Sequence, residues 1–244
     1  MRRFFFDPTV RDGDRVFLST EESHHITKVL RLKSGDIIEV LDGLGAVYRA
    51  VLTTLGRQVE AQIEEIMARE VGVGKPIRVW QAILKGDKMD WVVQKCTELG
   101  VREIIPFQSS RCQGRLDSIQ SHKKHQRWQR IGLEACKQCR RLHGVDIAPP
   151  TDYPLSLAAS SGDDPLKLLF WEEEKTTRLG DIRGIEQAGA FDLMLGPEGG
   201  FTREEVELAR LAGWRTVSLG ERILRAETAT LSAVAIVQFL AGSL

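Results

Sequence analysis

No apolar run in the 244 residues reaches the roughly 18–20 that a membrane-spanning helix needs. The nearest, Leu231 to Leu240, is broken by Ser232 and Gln238. The opening MRRFFFDP meets Asp7 and Pro8 before a signal-peptide core can form, so the expectation is a cytoplasmic protein with no membrane partner. Cysteine is sparse, at 96, 112, 136 and 139, which fits a reducing compartment and implies no disulfide framework. Neither a GxGxxG dinucleotide fingerprint nor a GxxxxGK phosphate loop occurs. An excess of either charge is missing too: 34 Lys and Arg face 34 Asp and Glu. At face value this argues against nucleic-acid contact, where Lys and Arg dominate phosphate binding. With 42% hydrophobic and 28% charged residues, disordered, collagen-like and disulfide-stapled classes are excluded, and the length allows one large domain or two smaller ones.

The zero conceals a pattern. Residues 1–74 sum to −2, residues 75–145 to +9 and residues 146–244 to −7. Between 111 and 141 nine basic side chains face only Asp117 and Glu134. Such asymmetry guides polyanion contact better than the total, although a solvated helix face has the same composition.

Short apolar or β-branched stretches at 4–6, 15–18, 37–41, 46–53 and 58–66, punctuated by Asp12-Gly13, Ser34-Gly35 and Asp42-Gly43-Leu44-Gly45, predict a small β-barrel or sandwich. One helix, Glu21 to Leu32, interrupts it. Two glycines and Pro76 between Val71 and Pro76 read as a linker, which divides the chain into 1–72 and 73–244. Beyond it the rhythm is α/β with a mostly parallel sheet: strands at 77–84, 101–107, 166–171, 191–195 and 216–219, helices at 89–99, 117–141, 202–212 and 228–240.

Two segments stand out. Leu195-Gly196-Pro197-Glu198-Gly199-Gly200-Phe201 follows a buried strand and precedes a helix that opens on a Thr202-x-x-Glu205 capping box. Glycines and a proline at the carboxyl end of a parallel strand make an open crevice suited to a ligand, or an ordinary strand-to-helix turn. Leu219-Gly220-Glu221-Arg222-Ile223-Leu224-Arg225-Ala226-Glu227-Thr228-Ala229 again joins strand to helix, by a longer route. Ile223 and Leu224 offer apolar walls there and Arg225 a fixed charge, unless Arg225 and Glu227 are simply surface residues at a helix start.

These two segments, with MRRFFF, His24-His25-Ile26-Thr27-Lys28-Val29-Leu30-Arg31, Lys85-Gly86-Asp87-Lys88-Met89-Asp90 and Lys95-Cys96-Thr97-Glu98-Leu99-Gly100-Val101, closely resemble the bacterial ribosomal RNA small subunit methyltransferase E family, from residue 2 to residue 240. The resemblance implies a PUA-like β-barrel RNA-binding domain over 1–72 and a SPOUT methyltransferase domain over 73–244, with a carboxyl-terminal trefoil knot that binds S-adenosylmethionine. It implies a homodimer that methylates ring nitrogen N(3) of a uridine in the decoding region of 16S rRNA in the small ribosomal subunit. Carried over by position, Trp171, Leu195, Gly196, Pro197, Gly199, Gly200, Leu219, Gly220, Ile223, Leu224, Thr228 and Ala229 would bind the cofactor, with Phe170-Trp171-Glu172 as a third wall. Arg225 would stabilise charge on the uracil ring, and Glu198, or else Glu227, would accept its proton. Expected RNA contacts are Arg2, Arg3, His24 and Arg31 from the barrel and Arg111, Arg140 and Arg141 from the basic stretch. The rival readings are another SPOUT enzyme that methylates a ribose 2′-oxygen, and a non-catalytic RNA-binding or ribosome-assembly factor.

His122, His125, Cys136 and Cys139 have the residue types of a zinc site. On one unbroken helix, however, His125 and Cys136 would stand about 16 Å apart, so no metal is expected. Gln138-Cys139-Arg140-Arg141 instead resembles a Gln-Ser-x-Arg motif of the family, with Cys in place of Ser.

Overall fold

The computed structural model describes residues 2–69, 74–153, 157 and 164–243. The expected boundary at 72/73 lies outside the described residues. Contacts divide the chain into two compact units, Met1–Val73 with Cys136–Gly144, and Gly74–Ala135 with Val145–Leu244. The return of Cys136–Gly144 to the first unit is not foreshadowed in the sequence.

In the first unit β1 (Arg3–Phe5), β2 (Arg15–Phe17), β3 (Ile37–Leu41), β4 (Ala46–Thr54) and β5 (Glu60–Arg69) form one sheet in the order β1-β3-β4-β5-β2. An isolated bridge between Phe6 and Leu18 joins the two edge strands, so the sheet curls shut as a barrel does. Alternating side chains fill the inside, among them Phe4, Phe6, Val16, Ile38, Val40, Ala50 and Leu52, all buried. The expected helix over Glu21–Leu32 is shorter and changes pitch: α1 (Thr20–His24) gives way to a π-helical turn over His25–Val29. The Thr27 hydroxyl donates to the Ser23 carbonyl at 2.8 Å, competing with the backbone ladder at that point.

The second unit is built on a sheet in the order β12 (Arg215–Val217), β10 (Leu166–Phe170), β11 (Phe191–Leu195), β6 (Ile77–Ala82), β7 (Glu103–Gln108), β8 (Asp146–Ile147), with β9 (Thr151–Asp152) also on β7. Every pairing in it is parallel. Both faces are covered, as parallel sheets require. Val79, Ile104, Leu168 and Leu193 pack with Val92, Val93 and Cys96 of α2 (Lys88–Glu98), Trp128 of α3 (Ser118–Cys139), and Ala233, Val234 and Val237 of the final helix (Ala226–Leu240). Trp80, Ile105, Leu169 and Met194 point the other way, onto Val206 and Ala209 of α4 (Arg203–Leu211). The final helix is α5 below. No described helix is long and apolar enough to cross a membrane.

Candidate active site

The site grows out of strand order. β6 leads to β7 on one side, whereas β10 and β11 lie on the other, so the order reverses between β6 and β11. Ligands in such sheets sit beyond the carboxyl ends of the strands at this point. A cleft of about 530 Å³ opens there, lined from the segments that follow β10, β11 and β12, together with Lys88.

The loop after β11 is held from all sides. Thr202 and Glu205 exchange hydrogen bonds as a capping box, at 3.2 and 2.9 Å, and Glu205 also accepts the Ser110 amide at 2.8 Å. Phe201 is buried and stacks on Phe107. Behind the loop the fully buried Gln81 accepts the Thr230 hydroxyl at 2.6 Å and donates to the Gly196 carbonyl at 3.4 Å, tying the loop to α5. Gly200 sits at φ 68°, a conformation that residues with a side chain rarely adopt, and a Cβ there would displace the Glu172 carboxylate.

The wall after β10 depends on Glu174. Its buried carboxylate accepts the Thr176 hydroxyl at 2.6 Å, the Thr176 and Thr177 amides at 2.8 and 3.2 Å and the Thr216 hydroxyl at 2.7 Å. The Thr176 hydroxyl does most to pull its pKa down to about 2, with the other bonds overcoming what burial opposes. This fixes the turn that carries Trp171, Glu172 and Lys175 into the cleft. The wall after β12 is looser: Ile223 is 87% exposed, and Arg225 is the exposed N-cap of α5.

Glu198 faces the cleft with Oε1 accepting the Lys85 amide at 3.2 Å and the Lys88 ammonium at 3.1 Å. Burial pushes its carboxyl up, but hydrogen bonds from its own backbone, Lys88 and Lys85 outweigh that and hold it below the ordinary range. Lys88 is shifted up in turn, chiefly by its bond to Glu198. Phe170 and Glu172 line the cleft beside Trp171, where the third wall is expected, and Lys88 and Lys175 line it although the motifs assign them no role. The signal for Lys88 was its place in the Lys85–Asp90 run.

Of the expected cofactor residues, Trp171, Leu195, Gly196, Pro197, Gly200, Leu219, Gly220, Ile223, Leu224 and Ala229 line the cleft, as does Arg225. Gly199 and Thr228 do not. The Gly199 carbonyl is turned to Arg111, and Thr228 lies on the exposed side of α5. Arg111, expected at RNA, donates to the Gly199 and Phe201 carbonyls at 3.0 and 3.3 Å and so braces the loop. In the first unit Arg2, His24, Arg31 and Arg140 are exposed and Arg141 is half-buried. Arg3 pairs with Glu39 at 2.7 Å and also donates to the Arg140 carbonyl at 3.3 Å. His25 packs edge-on against Phe4. No three His, Cys, Asp or Glu side chains among the described residues converge as metal ligands.

Residues 73–238 match the family described as RNA methyltransferase domain, and residues 11–64 match RNA methyltransferase PUA domain. The chain is 34% identical to ribosomal RNA small subunit methyltransferase E of Synechocystis over 93% of its own length and 74% of the relative's. To the Bacillus subtilis protein of the same name it is 28% identical, over 98% and 96%. Among solved structures, ribosomal RNA small subunit methyltransferase E from Neisseria gonorrhoeae, bound to S-adenosylmethionine, superimposes with a TM-score of 0.84 at 36% identity, covering 98% of both chains. A Legionella pneumophila methyltransferase in complex with the same cofactor superimposes with a TM-score of 0.86 at 30% identity, over 98% and 97%.

Proposed function

Because the chain belongs to the ribosomal RNA small subunit methyltransferase E family, and is an S-adenosylmethionine-dependent rRNA methyltransferase, we propose that it methylates ring nitrogen N(3) of a uridine in the decoding region of 16S rRNA. The observation that carries this reading is the cleft at the strand-order reversal, bounded by two of the segments that carry the family resemblance. Its size suits a cofactor, with apolar side chains at Leu195, Ile223 and Leu224 and open backbone at Gly196 and Gly200. Bound there, S-adenosylmethionine supplies an electrophilic methyl group on a sulfonium. Trp171 and the loop residues from Leu195 to Gly200 and Leu219 to Ala229 hold it.

Glu198 would accept the N(3) proton of the uracil, freeing the nitrogen lone pair for the methyl group, and pass that proton to solvent. Arg225 stabilises the negative charge that gathers on the uracil carbonyl oxygens. Residues 1–72 form the RNA-binding domain and 73–244 the catalytic one, which carries the trefoil knot. Arg2, Arg3, His24, Arg31, Arg140 and Arg141 contact phosphate, and Arg111 does so while bracing the cofactor loop. Trp91, Ile236 and Phe239, exposed at 41%, 40% and 71%, favour a homodimer built on the outer faces of α2 and α5. The protein works in the cytoplasm.

The test is methylation of small ribosomal subunits that lack the mark, with the product nucleoside located and identified by mass. N(3)-methyluridine is expected; a 2′-O-methylated ribose or no product would refute the reading. Arg225→Ala lowers kcat at saturating cofactor by about a hundredfold while cofactor affinity holds. A near-normal rate removes Arg225 from the mechanism.

A further inference from the structure

The Lys85–Asp90 run has no task among the roles above. Gly86, at φ 61°, turns the chain between β6 and α2 in a conformation that side-chain-bearing residues rarely adopt. The turn brings two donors, the Lys85 amide and the Lys88 ammonium, onto the same oxygen of Glu198. Glu227, at the head of α5, backs Lys88 from 3.6 Å with an Oε2 that is buried and accepts no hydrogen bond. Further along α2, Asp90 accepts Arg127 Nε at 2.7 Å and the Trp128 indole N–H at 3.1 Å. These contacts fix α2 against α3, and with it the first-turn lysine.

We propose that Lys88 is a positioning residue for methyl transfer that acts through Glu198, holding the carboxylate by Oε1 so that it meets the target base in one fixed orientation. The proposal rests on the reading of Glu198 as proton acceptor. A carboxylate swinging between rotamers forfeits the ordering that makes proton transfer within a complex fast. Lys88 of α2 pairs with Glu198 and with Glu227 of α5, and the other charged groups that line the same cleft are Arg225 at the head of α5, Glu172 and Lys175 in the turn after β10, and Glu221 and Arg222 in the loop after β12. Among the described residues, Lys88 alone forms an ion pair with it.

A double-mutant cycle of Lys88→Met and Glu198→Gln tests this, with the full chain methylating unmarked small ribosomal subunits across pH at saturating cofactor and RNA. The Lys88 side chain is 38% exposed, and Met at that position keeps the fold. Without the ammonium the Glu198 carboxyl rises toward its ordinary value. The acid limb of the rate profile therefore moves to higher pH, and kcat falls about tenfold or more. Cofactor binding by calorimetry stays within about threefold. Lys88→Arg restores the limb, and in the Glu198→Gln background Lys88→Met costs nothing further. An unmoved limb, or an undiminished loss in that background, overturns the proposal and leaves the role of Glu198 standing. Full activity of Glu198→Gln overturns both.

Discussion

Arg140 occupies a position where a helix end usually carries glycine. Its φ is 63°, and the Arg141 amide reaches back to the Cys136 carbonyl at 3.1 Å, the closure of a Schellman turn. Arg31, after the π-helical turn, has φ 52°. Left-handed backbone costs a residue with a side chain about 1 kcal/mol relative to glycine. Such strain tends to persist where a side chain is needed for something besides stability. Arg140→Gly should therefore raise the melting temperature by about 2–4 °C while weakening binding to 16S rRNA. Thermal melting and a filter-binding titration check the two halves, and a stabler variant with undiminished affinity would take Arg140 out of the RNA contacts. The sequence placed Arg31 and Arg140 among basic residues but could not show their backbone. Nor could it show that Lys88 meets a carboxylate 110 positions away, because that convergence depends on which strands are neighbours.

Whole elements were more legible. β10 and β11 stand out as short apolar runs because both faces of a parallel strand are buried. The capping box at Thr202 announces α4 because its two hydrogen bonds are local in sequence. The π-helical turn left no trace, since one extra residue per turn barely alters the spacing of Ile26, Val29 and Leu30. The turn after β10 is legible in the sequence as a wall made by Phe170, Trp171 and Glu172, whereas the group that shapes it is Glu174. Its pKa near 2 gives that turn a pH signature. A carboxyl depressed in the folded state stabilises the protein above its ordinary value of 4.5, and that contribution fades as pH falls toward about 2. Glu174→Gln has no such charge to lose. It should be less stable at pH 7 and show a shallower decline between pH 4.5 and 2 in urea midpoints; parallel curves for the two proteins would exclude this account.

For the molecule as a whole, the charge sum of zero divides between two units in a way that counting by thirds approximates only in part. Lys137, Arg140 and Arg141 come from the basic stretch, yet they belong to the unit that holds Arg2, Arg3 and Arg31. Lys137 is committed inside that unit, paired with Glu22 at 2.5 Å. The exposed Arg2, Arg31 and Arg140 are the better candidates for phosphate. Affinity for 16S rRNA should fall steeply with salt, with log Kd linear in log salt, and each of these arginines changed to Gln should reduce the slope by about one. A salt-independent affinity would show that the arginines do not carry the contact.

The return of Cys136–Gly144 to the first unit also bears on how the protein is made. The Gly144 amide bonds to the Gly43 carbonyl at 3.0 Å, and Leu44 bridges to His143, so the barrel recruits residues synthesised well after its own last strand. On a translating ribosome the barrel strands emerge first but wait several seconds, at the usual roughly 5–20 residues per second, for the segment that completes them. The sheet of the second unit is meanwhile begun by β6 and β7. The two halves of this enzyme therefore mature together rather than one after the other, and a fragment that stops short of β6 would lack part of its own first unit.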